Sequence, residues 1–219
     1  MADSLLKFFQ YVTDQAAHLL FLSWDHIIMV LCGLALAVAV GVPLGVVSAR
    51  FPKLAGVVLS AANVIQVFPS LALLAVLMIF FGLGFKAVVI ALFLYSLLPI
   101  TRNTYVALKQ VDPSMIEAGT GAGMSPLQLL FKVQLPLSLP FLMAGIRLAA
   151  VIAIGVATLA PLIGGDGLGR EIYSGLSARN NIKIYAGAVP AALLAILADI
   201  GLGKLQQRLK ASRKPKVAD

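Results

Sequence analysis

Asp112-Pro113-Ser114-Met115-Ile116-Glu117-Ala118-Gly119-Thr120-Gly121-Ala122-Gly123-Met124-Ser125-Pro126-Leu127-Gln128-Leu129-Leu130-Phe131-Lys132-Val133-Gln134-Leu135-Pro136 is too polar to cross a bilayer and too rich in helix signals to be a plain loop. Two helix starts can be read in it. Ser114 to Glu117 fits a capping box with Ser at the N-cap and Glu at N3, and Ser125 to Gln128 fits a second, with Pro126 at N1 where its missing N–H costs nothing. Between them, Gly119-Thr120-Gly121-Ala122-Gly123 permits a tight turn and close approach of another backbone. Pro136 is expected to end the second helix and open the next apolar stretch.

Outside this stretch the chain is overwhelmingly apolar. Of 219 residues, 60% are hydrophobic and 12% charged, against about 45–50% and about 25% in soluble domains. A soluble enzyme, a disordered chain and a nucleic-acid-binding domain are excluded as leading readings. The composition predicts an all-α polytopic membrane protein whose environment is lipid.

A spanning helix needs about 20 apolar residues. The 24 uncharged residues between Asp25 and Arg50 supply the first, over Ile27–Ala49, after an outer segment 1–26. It is too long, and its flank too acidic, for a cleavable signal peptide. His18 and His26 read as interfacial polar residues before this span. The 32 residues between Lys53 and Lys86 contain Pro69 near their middle. One long broken helix over Leu54–Phe81 is expected, with two short re-entrant pieces as the alternative. Further spans are predicted over Ala87–Tyr105, Pro136–Leu162 and Ile184–Leu205, giving a single five-span domain with its core at 27–205. A disordered basic tail, 206–219, follows.

The 17 basic residues give a net charge of +8. With the N-terminus outside, 11 lie on the inner side, 5 on the outer side, and Arg147 within a span. This positive-inside bias predicts N-terminus out and C-terminus cytoplasmic, with segment 112–135 facing the cytoplasm. The charge excess belongs to topology rather than to nucleic acid. A lone cysteine, Cys32, offers neither a disulfide nor a metal cluster.

Glu117-Ala118-Gly119, Gly123 six residues after the Glu, and Val133-Gln134-Leu135-Pro136 resemble the "EAA" signature of ABC-importer permeases, with Gly119 where that family usually has Ala. Gln66-Val67-Phe68-Pro69-Ser70-Leu71-Ala72-Leu73-Leu74, Leu92 to Thr104, Met143 to Arg147 and Ile154 to Gly169 are similar to osmoprotectant permeases, specifically the glycine betaine/carnitine/choline subunits of the OpuC type. The resemblance covers about residues 27–205.

That resemblance implies the type I importer permease fold and a non-enzymatic subunit of the bacterial cytoplasmic (inner) membrane. Glu117, Ala118, Gly119 and Gly123 would form a coupling helix seated in a separate ATP-binding subunit. Glu117 is expected both to cap its helix and to face a basic group there. No phosphate-binding loop is present, so ATP and Mg belong to that partner and this chain holds no cofactor or metal. A substrate-binding protein, approaching Asp166 to Glu171, and a second copy or a paralogous permease complete the implied assembly. Substrate-path candidates are Asn63, Gln66, Phe68, Tyr95, Ser96 and Thr158, since aromatic faces hold quaternary ammonium groups and polar groups within spans line paths. Arg147 would repel such a cation, and a structural pairing with Asp199 is preferred. A methionine or other amino-acid permease is the alternative function, and a non-transport membrane protein the third.

Overall fold

The computed structural model describes residues 2–211, with side chains from 6 to 210. Among them the chain is helical and has no strand. In order the helices are α1 (Ala2–Asp14), α2 (Ala16–Arg50), α3 (Pro52–Val67), α4 (Ser70–Phe81), α5 (Phe85–Lys109), α6 (Pro113–Gly121), α7 (Pro126–Leu129), α8 (Leu135–Ala157), α9 (Gly169–Ser177) and α10 (Asn181–Ala211). A π-helical turn, Leu130–Gln134, joins α7 to α8, and a 3₁₀ turn, Ala160–Ile163, follows α8. Helices α2, α5, the run Pro126–Ala157 and α10 are each long and apolar enough to cross a membrane, and α3 with α4 would make a fifth crossing.

Helix α5 is the centre of the bundle: 67% of its apolar window is buried, against 22% for α10. It is flanked by α2 and α8, and both approach it through glycine. Gly41 and Gly45, a G-x-x-x-G pair, face Ile100, Thr101 and Thr104. A Cβ at Gly45 would lie 2.5 Å from Thr104 Cβ and 2.8 Å from the Thr101 carbonyl oxygen. Hydrocarbon chains give no hydrophobic drive for helix association, so small residues that bring backbones into contact supply it through dispersion. Gly145 of α8 meets α5 at Asn103 and the Pro99 carbonyl in the same way. Met29, Leu74, Leu92, Ile154 and Ile163 are buried together where α2, α4, α5, α8 and the 3₁₀ turn converge.

The structure departs from the expected spans at four places. Helix α2 begins at Ala16, not Ile27, because Asp25 and His26 interrupt the apolar run without interrupting the helix. His26 is not interfacial: it is fully buried, with Nε2 3.1 Å from the Ile154 carbonyl oxygen on α8. The region 54–81 is broken at Phe68 and Pro69 into two helices inclined by 100°, far more than a proline kink. Pro69 has no N–H to give and disfavours the α conformation at Phe68, and both residues are extended, with ψ 133° and 132°. Pro136 does not end a helix. The π turn before it shifts the ladder to wider spacing, Leu135 N–H bonding back to Leu130, and the helix passes through the proline. Finally, α10 continues through Gln206 to Ala211, so the predicted tail is helical over that part. Its remainder, 212–219, lies outside the described residues.

Gly45→Ala forces a methyl into the α2–α5 contact and should destabilise the bundle by about 1–3 kcal/mol. Gly56→Ala, with nothing within 4 Å, should be neutral or stabilising by up to about 1 kcal/mol. Thermal unfolding of the two variants in detergent micelles makes the comparison.

Candidate functional site

Segment 112–135 is built by local hydrogen bonds rather than by burial. Asp112, not Ser114, caps α6: its Oδ1 accepts from Ser114 N–H at 2.9 Å, and Pro113 takes N1. The Ser114 backbone N–H, then its hydroxyl, holds the Asp112 carboxyl below its ordinary value, so the cap is charged at neutral pH. The Asp-Pro pair wins because it places an acceptor at the N-cap and a residue with preset φ next to it. The second expected capping box is present. Ser125 Oγ accepts from Gln128 N–H at 3.3 Å, and Gln128 Oε1 accepts from Ser125 N–H at 2.9 Å.

Between these caps, α6 closes in a Schellman motif. Met124 N–H donates to the Gly119 carbonyl and Gly123 N–H to that of Thr120, with Gly123 at φ 79°. Gly123 is thus required by the turn. Gly119 is buried under Leu129, whose Cδ1 would lie 2.6 Å from a Cβ there. An alanine at this position would require the Leu129 side chain to shift. Glu117 and Ala118 stay exposed on the outer face of α6. Glu117 does not cap the helix. Its carboxylate is left facing outward, on a rigid platform held by Gly119 and Gly123.

The second candidate region is the α3–α4 elbow. Breaking the helix at Phe68 leaves its carbonyl without a helical donor. Tyr95, a buried residue of α5, supplies one: its hydroxyl donates to the Phe68 carbonyl oxygen at 2.5 Å. Asn63, Phe68 and Pro69, with Val64 and Val67, line an open hollow of about 460 Å³ on the outer face of this elbow. The Phe68 ring is 45% exposed, and Gln66 is half-buried beside it. The six path candidates do not converge on one surface. Ser96 is fully buried, its hydroxyl unpartnered among the described residues. Thr158 sits at the end of α8 and donates to the Gly155 carbonyl at 2.7 Å.

Arg147 and Asp199 meet between α8 and α10 in a bidentate pair, Nε to Oδ1 at 2.5 Å and Nη2 to Oδ2 at 2.6 Å. Two parallel bonds match the planar guanidinium to the carboxylate. A second polar cluster, which sequence reading missed, joins the N-terminal helices to α9. Glu171 is buried, accepts from the Tyr11 hydroxyl at 2.9 Å, and lies 3.3 Å from His18 Nε2. Burial first, then the bond to Glu171 and its charge, push the Tyr11 hydroxyl up to about 12, so it is a neutral donor at physiological pH. Glu171 is therefore an internal tie rather than part of an exposed rim. At the other end of the stretch expected to face a binding protein, Asp166 is only half-buried and is bonded to Arg170 at 3.1 Å. No spacing rule could have joined residues 160 positions apart.

Comparison with known proteins matches residues 41–211 to the family described as binding-protein-dependent transport system inner membrane component. The carnitine transport permease protein OpuCD of Listeria monocytogenes serotype 1/2a (strain 10403S) is 45% identical over 217 residues, which cover 97% of each chain. The glycine betaine/carnitine/choline transport system permease protein OpuCD of Bacillus subtilis (strain 168) is 43% identical over 207 residues, 94% of this chain and 90% of that one. Among solved structures, an inward-facing MetNI methionine ABC transporter has a TM-score of 0.81 at 22% identity, covering 87% of this chain and 95% of that chain. At that identity the likeness is one of fold. The permease resemblance and the all-helical importer fold expected from it both hold.

Arg147→Leu leaves Asp199 as an uncompensated carboxylate at bilayer depth, and removing one partner of such a pair is more harmful than removing both. Arg147→Leu should therefore lower the yield and thermal stability of the purified protein more than Arg147→Leu with Asp199→Leu. Equal behaviour of the single and double variants would contradict a structural role for the pair.

Proposed function

Because the chain belongs to the family of binding-protein-dependent transport system inner membrane components, we propose that it is the membrane-spanning subunit of an ATP-driven importer for quaternary ammonium osmoprotectants: glycine betaine, carnitine, choline or their close analogues. The observation that carries this substrate class is the identity of 43–45%, nearly end to end, with permeases named for those solutes. On this reading ATP and Mg are used by a separate ATP-binding subunit, a substrate-binding protein delivers cargo from outside, and a second permease copy or paralogue completes the path. The N-terminus lies outside and the C-terminus in the cytoplasm.

The chain's own residues supply the coupling. Glu117 and Ala118 present the face of α6 that seats in the ATPase, and Gly119 and Gly123 keep that face rigid. The helix then runs without interruption from Pro126 through the π turn to Ala157. A displacement at the cytoplasmic end is carried directly into the membrane, because a packed helix moves as a body. Helix α8 passes the motion to α10 through the Arg147–Asp199 pair and to α5 through the Gly145 contact. Helix α5 holds the elbow through Tyr95. The exposed Phe68 ring offers a quaternary ammonium an aromatic face, with Asn63 and Gln66 beside it. Tyr95 positions Phe68 and does not itself meet the solute.

In proteoliposomes containing the chain, its ATPase and its binding protein, labelled glycine betaine, carnitine or choline should accumulate with ATP. Uptake of methionine alone would overturn the substrate class. Glu117→Ala should release the ATPase during purification, or uncouple ATP hydrolysis from uptake, while leaving the fold of the exposed helix intact. Topology is checked in a Cys32→Ser background. A cysteine at Asn180 should react with a membrane-impermeant maleimide applied to intact cells, and one at Thr120 should react only after lysis.

A further inference from the structure

A hollow of about 380 Å³ lies between the ends of the spanning helices and the coupling segment. Arg50 and Lys109, the last residues of α2 and α5, and Gln134 of the π turn are its polar lining. Leu108, Ile116 and Leu129 are among its apolar lining. The two cations oppose the negative ends of their helix dipoles, yet neither forms an ion pair among the described residues. Two helices therefore deliver positive charge to one cavity whose remaining walls are greasy, at the level where spans give way to the cytoplasmic segment. A π turn, an arrangement frequent at functional sites, forms part of its wall.

We propose that this hollow binds the phosphate head group of an anionic lipid from the inner leaflet, with Arg50 and Lys109 on the phosphate and the glycerol and first methylenes against Leu108, Ile116 and Leu129. A free phosphate would use the cationic side alone and leave the apolar walls wet, so the amphipathic lining favours the lipid. The occupied site ties α2 and α5 to α6 and the π turn, behind the face that meets the ATPase. Lipid occupancy thus fixes the coupling segment against the central helices. The assignment rests on the cytoplasmic placement of segment 112–135, but retention of lipid is measured without transport, so the two fail separately.

The purified permease–ATPase complex, extracted from vesicles of equal phosphatidylglycerol and phosphatidylcholine, is analysed by native mass spectrometry for retained lipid. Phosphatidylglycerol should be retained in preference, and its affinity should fall roughly 30-fold in Arg50→Gln with Lys109→Gln, from the loss of two interfacial cation–phosphate contacts. Ala49→Phe, which fills the hollow but keeps both charges, should also lose the lipid, and this variant decides the matter where the double variant fails to fold. Lys53→Gln with Lys204→Gln, removing inner-side cations outside the hollow, should retain it. Equal retention by wild type and the Arg50/Lys109 variant, or an equal loss in the Lys53/Lys204 variant, would overturn the site. Displacement of phosphatidylglycerol by excess inorganic phosphate would overturn the lipid assignment and give the same cations to a soluble anion.

Discussion

Every backbone N–H and carbonyl inside a bilayer has to find its partner within the protein, because water is not there to supply one. The irregular features of this chain are answers to that constraint. Where Pro69 breaks α3 from α4, Tyr95 reaches across from the neighbouring helix to the orphaned Phe68 carbonyl. Just before Pro136 a π turn widens the ladder, with the Leu135 N–H bonded back to the Leu130 carbonyl.

The same requirement explains why α5 is both the most buried helix and the one that carries the polar groups. A helix surrounded by others can keep Tyr95, Ser96, Thr101 and Thr104 away from hydrocarbon, and the hydroxyls of Tyr95 and Thr104 meet backbone carbonyls there. Thr104, for instance, bonds back to the Ile100 carbonyl at 2.8 Å. Close approach by Gly41, Gly45 and Gly145 is what makes that enclosure possible. The bundle is held by contact geometry at its centre and by two cross-links between distant segments, Arg147–Asp199 and the Tyr11–Glu171–His18 cluster.

Much of this was legible in the sequence where the physics is local or periodic. Apolar run lengths placed the spans, the Ser125 capping box stands as read, and the Arg147–Asp199 pairing followed from the cost of a lone charge in a span. The "EAA" spacing pointed to the family, which the comparison with known proteins shows. What escaped was decided elsewhere. Ser114 and Asp112 are both competent caps, and only the backbone path of the preceding turn selects Asp112. Pro69 announced a break but not its 100° angle, which depends on Tyr95 being on hand to catch the carbonyl. His26 looked interfacial because its neighbours in sequence are polar, whereas its neighbours in space are Ile154 and Gly167. That Ser96 is enclosed while Thr158 bonds to its own helix at the Gly155 carbonyl was likewise not readable, because the direction in which a side chain points is not visible in a sequence.

The bond between Arg147 and Asp199 also constrains how the protein is made. The two residues are 52 positions apart, and at about 5–20 residues per second the ribosome completes the carboxylate roughly 3–10 s after the guanidinium. During that interval α8 has been synthesised and its partner has not. The arginine must then be kept solvated, by water defects, lipid phosphates or the insertion machinery, until α10 arrives to neutralise it. Closure of the bundle is therefore a late event in biogenesis, and α10 enters the membrane as the counterion of a helix already waiting there.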